Sequence, residues 1–265
     1  MDLDRKKELL GYLVEGLCAE RGHAAPPADN VGELWKTFRA LVNTRPPMPA
    51  GSSWLESQDE LLAGLVNEAG IASVEDGAVC SFDDRIRLWQ GDITTLAVDA
   101  IINAANSQML GCWVPGHYCI DNAIHTFAGV QLRLECACIM DAQGCEEPTG
   151  CAKITTAYNL PSRYVIHTVG PIANGRPTEL HRAQLASCYR SCLELAQENN
   201  LSSIAFCCIS TGVFGFPQRE AAEIAVRTAR EWLDRTGAQI TVVFNVFSYK
   251  DYDIYNDLLS RNKHF

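Results

Sequence analysis

The chain has 265 residues, of which 47% are hydrophobic, and a formal net charge of −10. This length suits one large domain, or one domain with a small appendage, and the negative charge argues against a general nucleic-acid or anionic-membrane binder, which would need a basic surface. The sequence contains no run of about eighteen apolar residues, so no transmembrane helix is predicted. The first residues also lack the apolar core of a signal peptide. We therefore expect a cytoplasmic protein with neither nucleic acid nor membrane as a partner.

The first eighty or so residues predict a small all-helical unit. The spacing of apolar residues predicts amphipathic helices over 3–20 and 31–42 and a third over 54–69, with proline-containing connectors between them. No motif in this unit assembles chemical groups. We therefore interpret residues 1–80 as a helical N-terminal extension that acts as a packing cap.

Strands alternate with helices from about residue 82 onward. The predicted strands are 85–89, 100–104, 153–157, 164–167, 203–209 and 240–247, and the predicted helices are 121–140, broken at Gly129, 179–197 and 217–235. This alternation predicts an α/β sandwich around a mostly parallel sheet over residues 81–265. Ligands in such sheets bind beyond the carboxyl ends of the strands, and four loops with unusual residues fall there.

Two of these loops offer hydrogen-bonding side chains. Residues 91–94 (Gly-Asp-Ile-Thr) follow the first strand, where Asp92 could accept from an amine or simply form a turn. Residues 103–107 (Asn-Ala-Ala-Asn-Ser) follow the second strand, and their amides could hold vicinal ribose hydroxyls or cap the backbone. We favour a structural role for Asn103 and a ligand role for Asn106.

The third loop places Cys112, His117 and Cys119 at the spacing C-x4-H-x-C. Three such donors with room for a fourth ligand are typical of a catalytic zinc centre, whereas structural zinc sites are closed by four protein ligands. Chance clustering is the alternative, because the chain contains 12 cysteines. We interpret the other cysteines as small hydrophobic residues of the core, and His125 as a satisfied helical histidine rather than a fourth ligand.

Asp121 follows this loop at the position expected for a helix N-cap, a role compatible with catalysis.

The fourth loop, Ser210–Pro217, lies between a buried strand and a helix. Its two glycines and successive backbone amides could enclose a diphosphate without a lysine, although an unusual glycine-rich bend is the alternative. Phe247, which ends the last strand, could stack on a base or pack in the core.

Together these segments resemble the macrodomain family of ADP-ribose binders and hydrolases. The matching pieces run in the family's order from Gly91 to Pro217 and include residues 121–125 (Asp-Asn-Ala-Ile-His) and 164–171 (Tyr-Val-Ile-His-Thr-Val-Gly-Pro). Most hydrolytic members carry a run of glycines before the aspartate. Here the longer loop with two cysteines and a histidine replaces that run, and Asn122 stands where glycine is usual. This departure is similar to a zinc-containing microbial subclass that also has a helical extension.

The resemblance implies a three-layer α/β/α macrodomain with a mixed, mostly parallel sheet over residues 81–265, preceded by the helical extension. It implies that Asp92 and Ile93 hold the adenine and that Asn106 and Asp121 act at the distal ribose as catalytic residues. It also implies Zn2+ bound by Cys112, His117 and Cys119. With Phe247 added, the predicted substrate-binding residues are Asp92, Ile93, Asn106, Ile120, Asp121, Asn122, Ser210, Thr211, Gly212, Val213, Phe214 and Phe247.

The function that we expect from this resemblance is zinc-dependent hydrolysis of a mono-ADP-ribosyl group from a modified protein side chain. The zinc would offer its open position to a ribose hydroxyl or to the attacking water, and Asp121 could accept the proton or align that water. The alternatives are a module that binds ADP-ribose without cleaving it, a deacylase of O-acyl-ADP-ribose that uses the same pocket, and a purely structural zinc.

Overall fold

The structure is a computed structural model that describes residues 1–28 and 30–260. Its N-terminal part consists of α1 (Leu3–Ala19), α2 (Val31–Asn43) and α3 (Ser52–Ala69), as the apolar spacing predicts. The side chains of Asp2 and Asn30 cap α1 and α2 by accepting backbone N–H groups of the first turn. The apolar faces of these helices pack against one another in a core of their own.

The main sheet combines a parallel centre with antiparallel edges. Among the described residues its strands are β2 (Ala78–Val79), β3 (Ile86–Gln90), β5 (Ala100–Ala105), β6 (Ala152–Thr156), β7 (Tyr164–Val169), β8 (Ser203–Phe206) and β9 (Thr241–Val246). They lie in the order β2-β3-β9-β8-β5-β7-β6. The β2–β3 and β6–β7 pairs are antiparallel and the others parallel. Two short strands, β1 (Ala72–Ser73) and β4 (Leu96–Ala97), form a separate parallel pair.

Helices complete the three-layer α/β/α fold: α4 (Ile120–Ala128), α5 (Val130–Gln143), α6 (Glu179–Glu198), α7 (Gln218–Thr236) and α8 (Tyr249–Ser260). Gly129, with a φ of +99°, separates α4 from α5 at the predicted break. Gly237 ends α7 in the left-handed conformation that a helix C-cap favours. No helix within the described ranges has the length and apolarity needed to cross a membrane.

Some elements differ from the sequence-based prediction. The strand predicted over 203–209 ends at Phe206, because beyond it the chain leaves the sheet and turns back. Pro217 is the N-cap of α7 rather than its first residue. Helix α8 was not predicted, although its buried Tyr255, Leu258 and Leu259 have helical spacing. The prediction that the remaining cysteines are buried is wrong for three of them, Cys138, Cys145 and Cys151, which are exposed.

The helical extension packs against the end of α4 and the start of α5. The rings of Trp35 and Phe127 lie 5.8 Å apart, which joins α2 to α4. The Gln58 side chain accepts from the backbone N–H of Val130 at 2.9 Å, so α3 supplies a partner for the first turn of α5. Arg133 of α5 donates to the carbonyl oxygen of Val42 at 3.0 Å. The extension therefore contacts the α/β domain around the junction of α4 and α5.

Candidate active site

A cleft of about 580 Å³ lies at the carboxyl ends of β5, β7, β8 and β9. Cavities of this size accommodate small-molecule ligands and cofactors. Three of the four predicted loops meet there, as expected for an α/β sheet. The predicted site residues that line the cleft are Asn106, Cys112, His117, Cys119, Ile120, Asp121, Ser210, Thr211, Gly212, Val213, Phe214 and Phe247.

Three predicted site residues do not line this cleft. The Asp92 carboxylate accepts from the backbone N–H of Thr94 at 3.0 Å and from its hydroxyl at 2.8 Å, and so caps a short 3-10 helix. Ile93 is buried in that helix. Asn122 is fully buried, and its amide donates to the carbonyl oxygen of Val114 at 3.1 Å. An adenine role for Asp92 and Ile93 therefore stays a prediction.

Asp121 lies in the second position of α4, where its carboxylate reaches the cleft. The prediction that it caps the helix is wrong, because the N-cap is Cys119, whose Sγ accepts from the backbone N–H of Asn122 at 3.4 Å. Asn103 Nδ2 donates to Asp121 Oδ1 at 2.8 Å, and Asn106 Nδ2 lies 3.5 Å from Oδ2. Burial raises the pKa of Asp121 to about 6, against the opposing effect of the Asn103 hydrogen bond.

Two buried histidines lie behind Asp121. Asn103 Nδ2 is 3.1 Å from His167 Nδ1, and His167 Nε2 is 2.9 Å from the Thr155 hydroxyl. Burial lowers the pKa of His167 to about 3 and also lowers that of His125, so both rings are neutral at pH 7. Neither ring nitrogen of His125 has a hydrogen-bond partner in the described part of the chain. The prediction that the hydrogen-bonding groups of this histidine are satisfied is therefore wrong.

Cys112, His117 and Cys119 form a cluster on the loop of residues 111–119, which we call the Cys/His loop. Their ligand atoms all lie within 4.8 Å of one another, and Cys112 Sγ is 3.6 Å from His117 Nδ1. Tetrahedral zinc with Zn–S of about 2.3 Å and Zn–N of about 2.0 to 2.1 Å separates such atoms by about 3.6 Å. Burial raises the pKa of the Cys119 thiol, so a bound cation would have to displace its proton. The spacing of the three side chains would suit one zinc ion, and among the described residues no fourth histidine, cysteine or carboxylate belongs to this group.

The loop after β8 offers free backbone donors to the cleft. Within the described ranges the N–H groups of Gly212, Val213 and Phe214 donate to no protein acceptor. Ser210 has a φ of +66°, and its buried hydroxyl also lacks a partner there. A neighbouring segment anchors this loop: the backbone N–H of Ala173, which follows β7, donates to the Phe214 carbonyl oxygen at 2.9 Å. Successive unpaired amides near a helix N-terminus suit an anionic group such as a diphosphate.

Other cleft residues were missed at the sequence level. Asn245 was detectable, because an amide interrupts the apolar run of the last predicted strand. Asp251 lies at the start of a helix that was not predicted, and Cys208 carries no distinctive pattern. Gly170 belongs to the matching segment 164–171, but no role in the site was predicted for it. Phe247 is 79% exposed at the rim of the cleft, so it does not pack in the core.

The fold and this cleft define an α/β domain that binds a ligand at the carboxyl ends of its sheet. The model of the Macro domain family matches residues 102–225, and the chain belongs to the macrodomain family.

Its relatives extend the match to almost the whole chain. A protein-ADP-ribose hydrolase of Treponema medium is 51% identical over 96% of this chain and 99% of its own length. A protein-ADP-ribose hydrolase of Staphylococcus aureus (strain MRSA252) is 48% identical over 98% of both chains. The Trypanosoma brucei macrodomain solved in complex with ADP-ribose aligns with a TM-score of 0.63 and 31% identity, covering 84% of this chain and 95% of that one.

Proposed function

We propose that this protein is a zinc-dependent hydrolase that removes mono-ADP-ribose from modified protein side chains. The observation that carries the proposal is that the Cys112–His117–Cys119 cluster lines the same cleft as Asn106 and Asp121. The relatives at about half identity carry the name protein-ADP-ribose hydrolase, which supports the hydrolase part of the proposal. A module that only binds ADP-ribose has no need for an open metal position beside a buried carboxylate.

In this proposal the cleft residues would divide between the two ends of a bound ADP-ribosyl group. The free amides of Gly212 to Phe214 would bind the diphosphate, and the exposed ring of Phe247 is available to stack on the adenine. Asn106 and Ile120 would contact the distal ribose beside the Cys/His cluster. Asn122, being buried, would act there only through its backbone. This orientation would bring the bond between the ribose and the modified side chain near Asp121.

Asn103, Asn106 and Asp121 would position the water and the ribose for hydrolysis of that bond. When bound, Zn2+ would supply Lewis acidity and lower the pKa of a ligated water toward about 7. Asn103 holds Oδ1 of Asp121 by a 2.8 Å hydrogen bond, which leaves Oδ2 directed toward Asn106. In this position Oδ2 can orient the attacking water and accept its proton as the water oxygen bonds to the anomeric carbon of the ribose. The bond from that carbon to the side chain would break with its electron pair on the leaving atom, to which the Asp121 carboxyl can return the proton, while Asn106 keeps the ribose in place.

The test combines metal analysis with the release of ADP-ribose. The full-length protein is incubated with proteins that carry mono-ADP-ribose on aspartyl or glutamyl, seryl or arginyl side chains, with and without a chelator. We expect one zinc per chain, release of free ADP-ribose from one linkage class, and loss of release on chelation.

Other outcomes would identify the alternatives. Binding of ADP-ribose without release from any substrate would indicate a recognition module. Cleavage confined to O-acyl-ADP-ribose would indicate a deacylase. Zinc removal that unfolds the Cys/His loop, with release still proceeding in the remaining folded protein, would make the metal structural.

A further inference from the structure

The helical extension reaches the Cys/His loop through two polar side chains of α2. Arg39 and Asn43 are four residues apart and therefore lie on the same face of the helix. Arg39 Nη2 donates to the backbone carbonyl oxygen of His117 at 2.9 Å. Asn43 Oδ1 accepts from the backbone N–H of Gly116 at 2.9 Å. Both contacts fall on residues 116–119, the part of the loop that carries two of the three cluster residues, His117 and Cys119.

Further contacts connect the same side chains to α4. Arg39 Nη2 also donates to Asn122 Oδ1 at 3.0 Å, and Asn122 in turn donates to Val114 of the loop at 3.1 Å. Asn43 Nδ2 donates to the Thr126 hydroxyl at 3.0 Å. Asn122 thus links the extension, the Cys/His loop and α4. The asparagine at this position and the presence of a helical extension are therefore structurally connected features.

The Cys/His loop depends on these contacts because it has little regular structure of its own. Within the described part of the chain, the backbone hydrogen bond inside this loop runs from the His117 N–H to the Val114 carbonyl oxygen at 3.2 Å. Gly116 adopts a φ of +65°, a conformation that permits a tight turn. The Arg39 guanidinium also lies 4.9 Å from the centre of the Tyr118 ring, which is 93% exposed. External donors and acceptors thus fix the backbone at Gly116 and His117.

We infer that α2 is a positioning element for the zinc ligands: Arg39 and Asn43 preorganise the Cys/His loop so that His117 and Cys119 face Cys112 before the metal binds. The inference rests on the proposed function and assigns a task to the helical extension beyond packing. Groups outside the ligand set that orient a metal ligand commonly change metal affinity about tenfold to a hundredfold when mutated. Arg39 and Asn43 act on the backbone of the ligand-bearing segment and are positioning residues, not catalytic ones.

The decisive variant is Arg39→Met, which removes both hydrogen bonds and keeps a long apolar stem. The matched control is Arg21→Met in the same extension, because Arg21 donates to the Leu41 carbonyl oxygen at 2.9 Å and to the Thr44 hydroxyl at 2.7 Å without touching the loop. Zinc affinity of the full-length chain is measured by competition with a chromophoric chelator. Hydrogen exchange at the Gly116 and His117 amides is measured in the zinc-free protein.

We expect Arg39→Met to weaken zinc binding about tenfold to a hundredfold and to speed exchange in the loop. Arg21→Met should match the wild type in both measurements, and Arg39→Lys, which keeps a cationic donor, should recover part of the affinity. Equal zinc affinity of Arg39→Met and the wild type would overturn the inference and leave the proposed function intact. If the wild-type protein itself binds no zinc, both fail together.

Discussion

Asn103 and Asp121 are joined by a 2.8 Å hydrogen bond inside the protein, directly beneath the cleft. Asn103 is fully buried, and its amide nitrogen also lies 3.1 Å from His167, so one side chain connects the carboxylate to the core of the sheet. The geometry fixes one carboxylate oxygen and leaves the other for the ligand side. Asn103 and Asn106, which belong to the same short motif, therefore serve different sides of Asp121.

Replacing Asn103 by alanine should impair catalysis more than ligand binding. The carboxylate loses the donor that orients it, and a hydrogen bond to a charged group contributes about 1.5 to 3 kcal/mol. We expect the single-turnover rate of ADP-ribose release to fall about tenfold to a hundredfold, which corresponds to about 1.4 to 2.7 kcal/mol. Calorimetry should show ADP-ribose binding changed by less than about threefold.

Asn159→Ala is the matched control for this prediction. Asn159 Nδ2 donates to the Asp59 carboxylate at 2.7 Å and to the Ala128 carbonyl oxygen at 3.0 Å, away from the cleft lining. Both variants should lower the free energy of unfolding, while only Asn103→Ala should slow release. Wild-type release by folded Asn103→Ala would show that Asp121 needs no support from Asn103.

Replacing Cys119 by serine should abolish zinc binding while the fold is retained. The serine hydroxyl can still cap α4, as the sulfur of Cys119 does by accepting from Asn122, but it is a much poorer zinc ligand than a thiolate. We expect zinc content and ADP-ribose release both to fall to background, with circular dichroism unchanged. The exposed Cys138 provides the control through Cys138→Ser. Full release by zinc-free Cys119→Ser would contradict a catalytic role for the metal.

The sequence predicted the fold better than it predicted the contacts within the site. Strand and helix periodicity is local, so β5, α6 and the break at Gly129 could be read from neighbouring residues. The bond from Arg39 to His117 joins residues 78 positions apart, and no local pattern records it. The N-cap of α4 was assigned to Asp121 because aspartate is a frequent cap, whereas the loop geometry gives that position to Cys119.

Adding a methyl group at Gly170 should displace the loop after β8. A Cβ at this position would overlap the Ser210 hydroxyl and lie 2.9 Å from Ile209 Cγ2, which is part of the packed core. We expect Gly170→Ala to weaken ADP-ribose binding about tenfold, about 1.4 kcal/mol, because the free amides after Ser210 lose their alignment. Isothermal titration calorimetry would measure this loss. The control is Gly11→Ala, at a helical position with open space around it, which should leave ADP-ribose binding unchanged. Unaltered binding in Gly170→Ala would argue against contact between this loop and the diphosphate.

Ser210→Gly separates backbone strain from ligand binding in the same loop. The φ of +66° at Ser210 costs roughly 1 to 2 kcal/mol in a residue with a side chain, and glycine relieves that cost while adding about 0.5 to 1 kcal/mol of unfolded-state freedom. The free energy of unfolding should therefore rise slightly or stay constant. ADP-ribose affinity should nevertheless fall about tenfold, since the buried hydroxyl without a protein partner is lost.

The control for this prediction is Asn200→Gly, which makes a similar backbone change at a φ of +54° on the exposed surface. This variant should leave ADP-ribose affinity unchanged. Urea unfolding and calorimetry on both variants test this pattern, and affinity retained in Ser210→Gly would show that the strained serine serves the loop conformation alone.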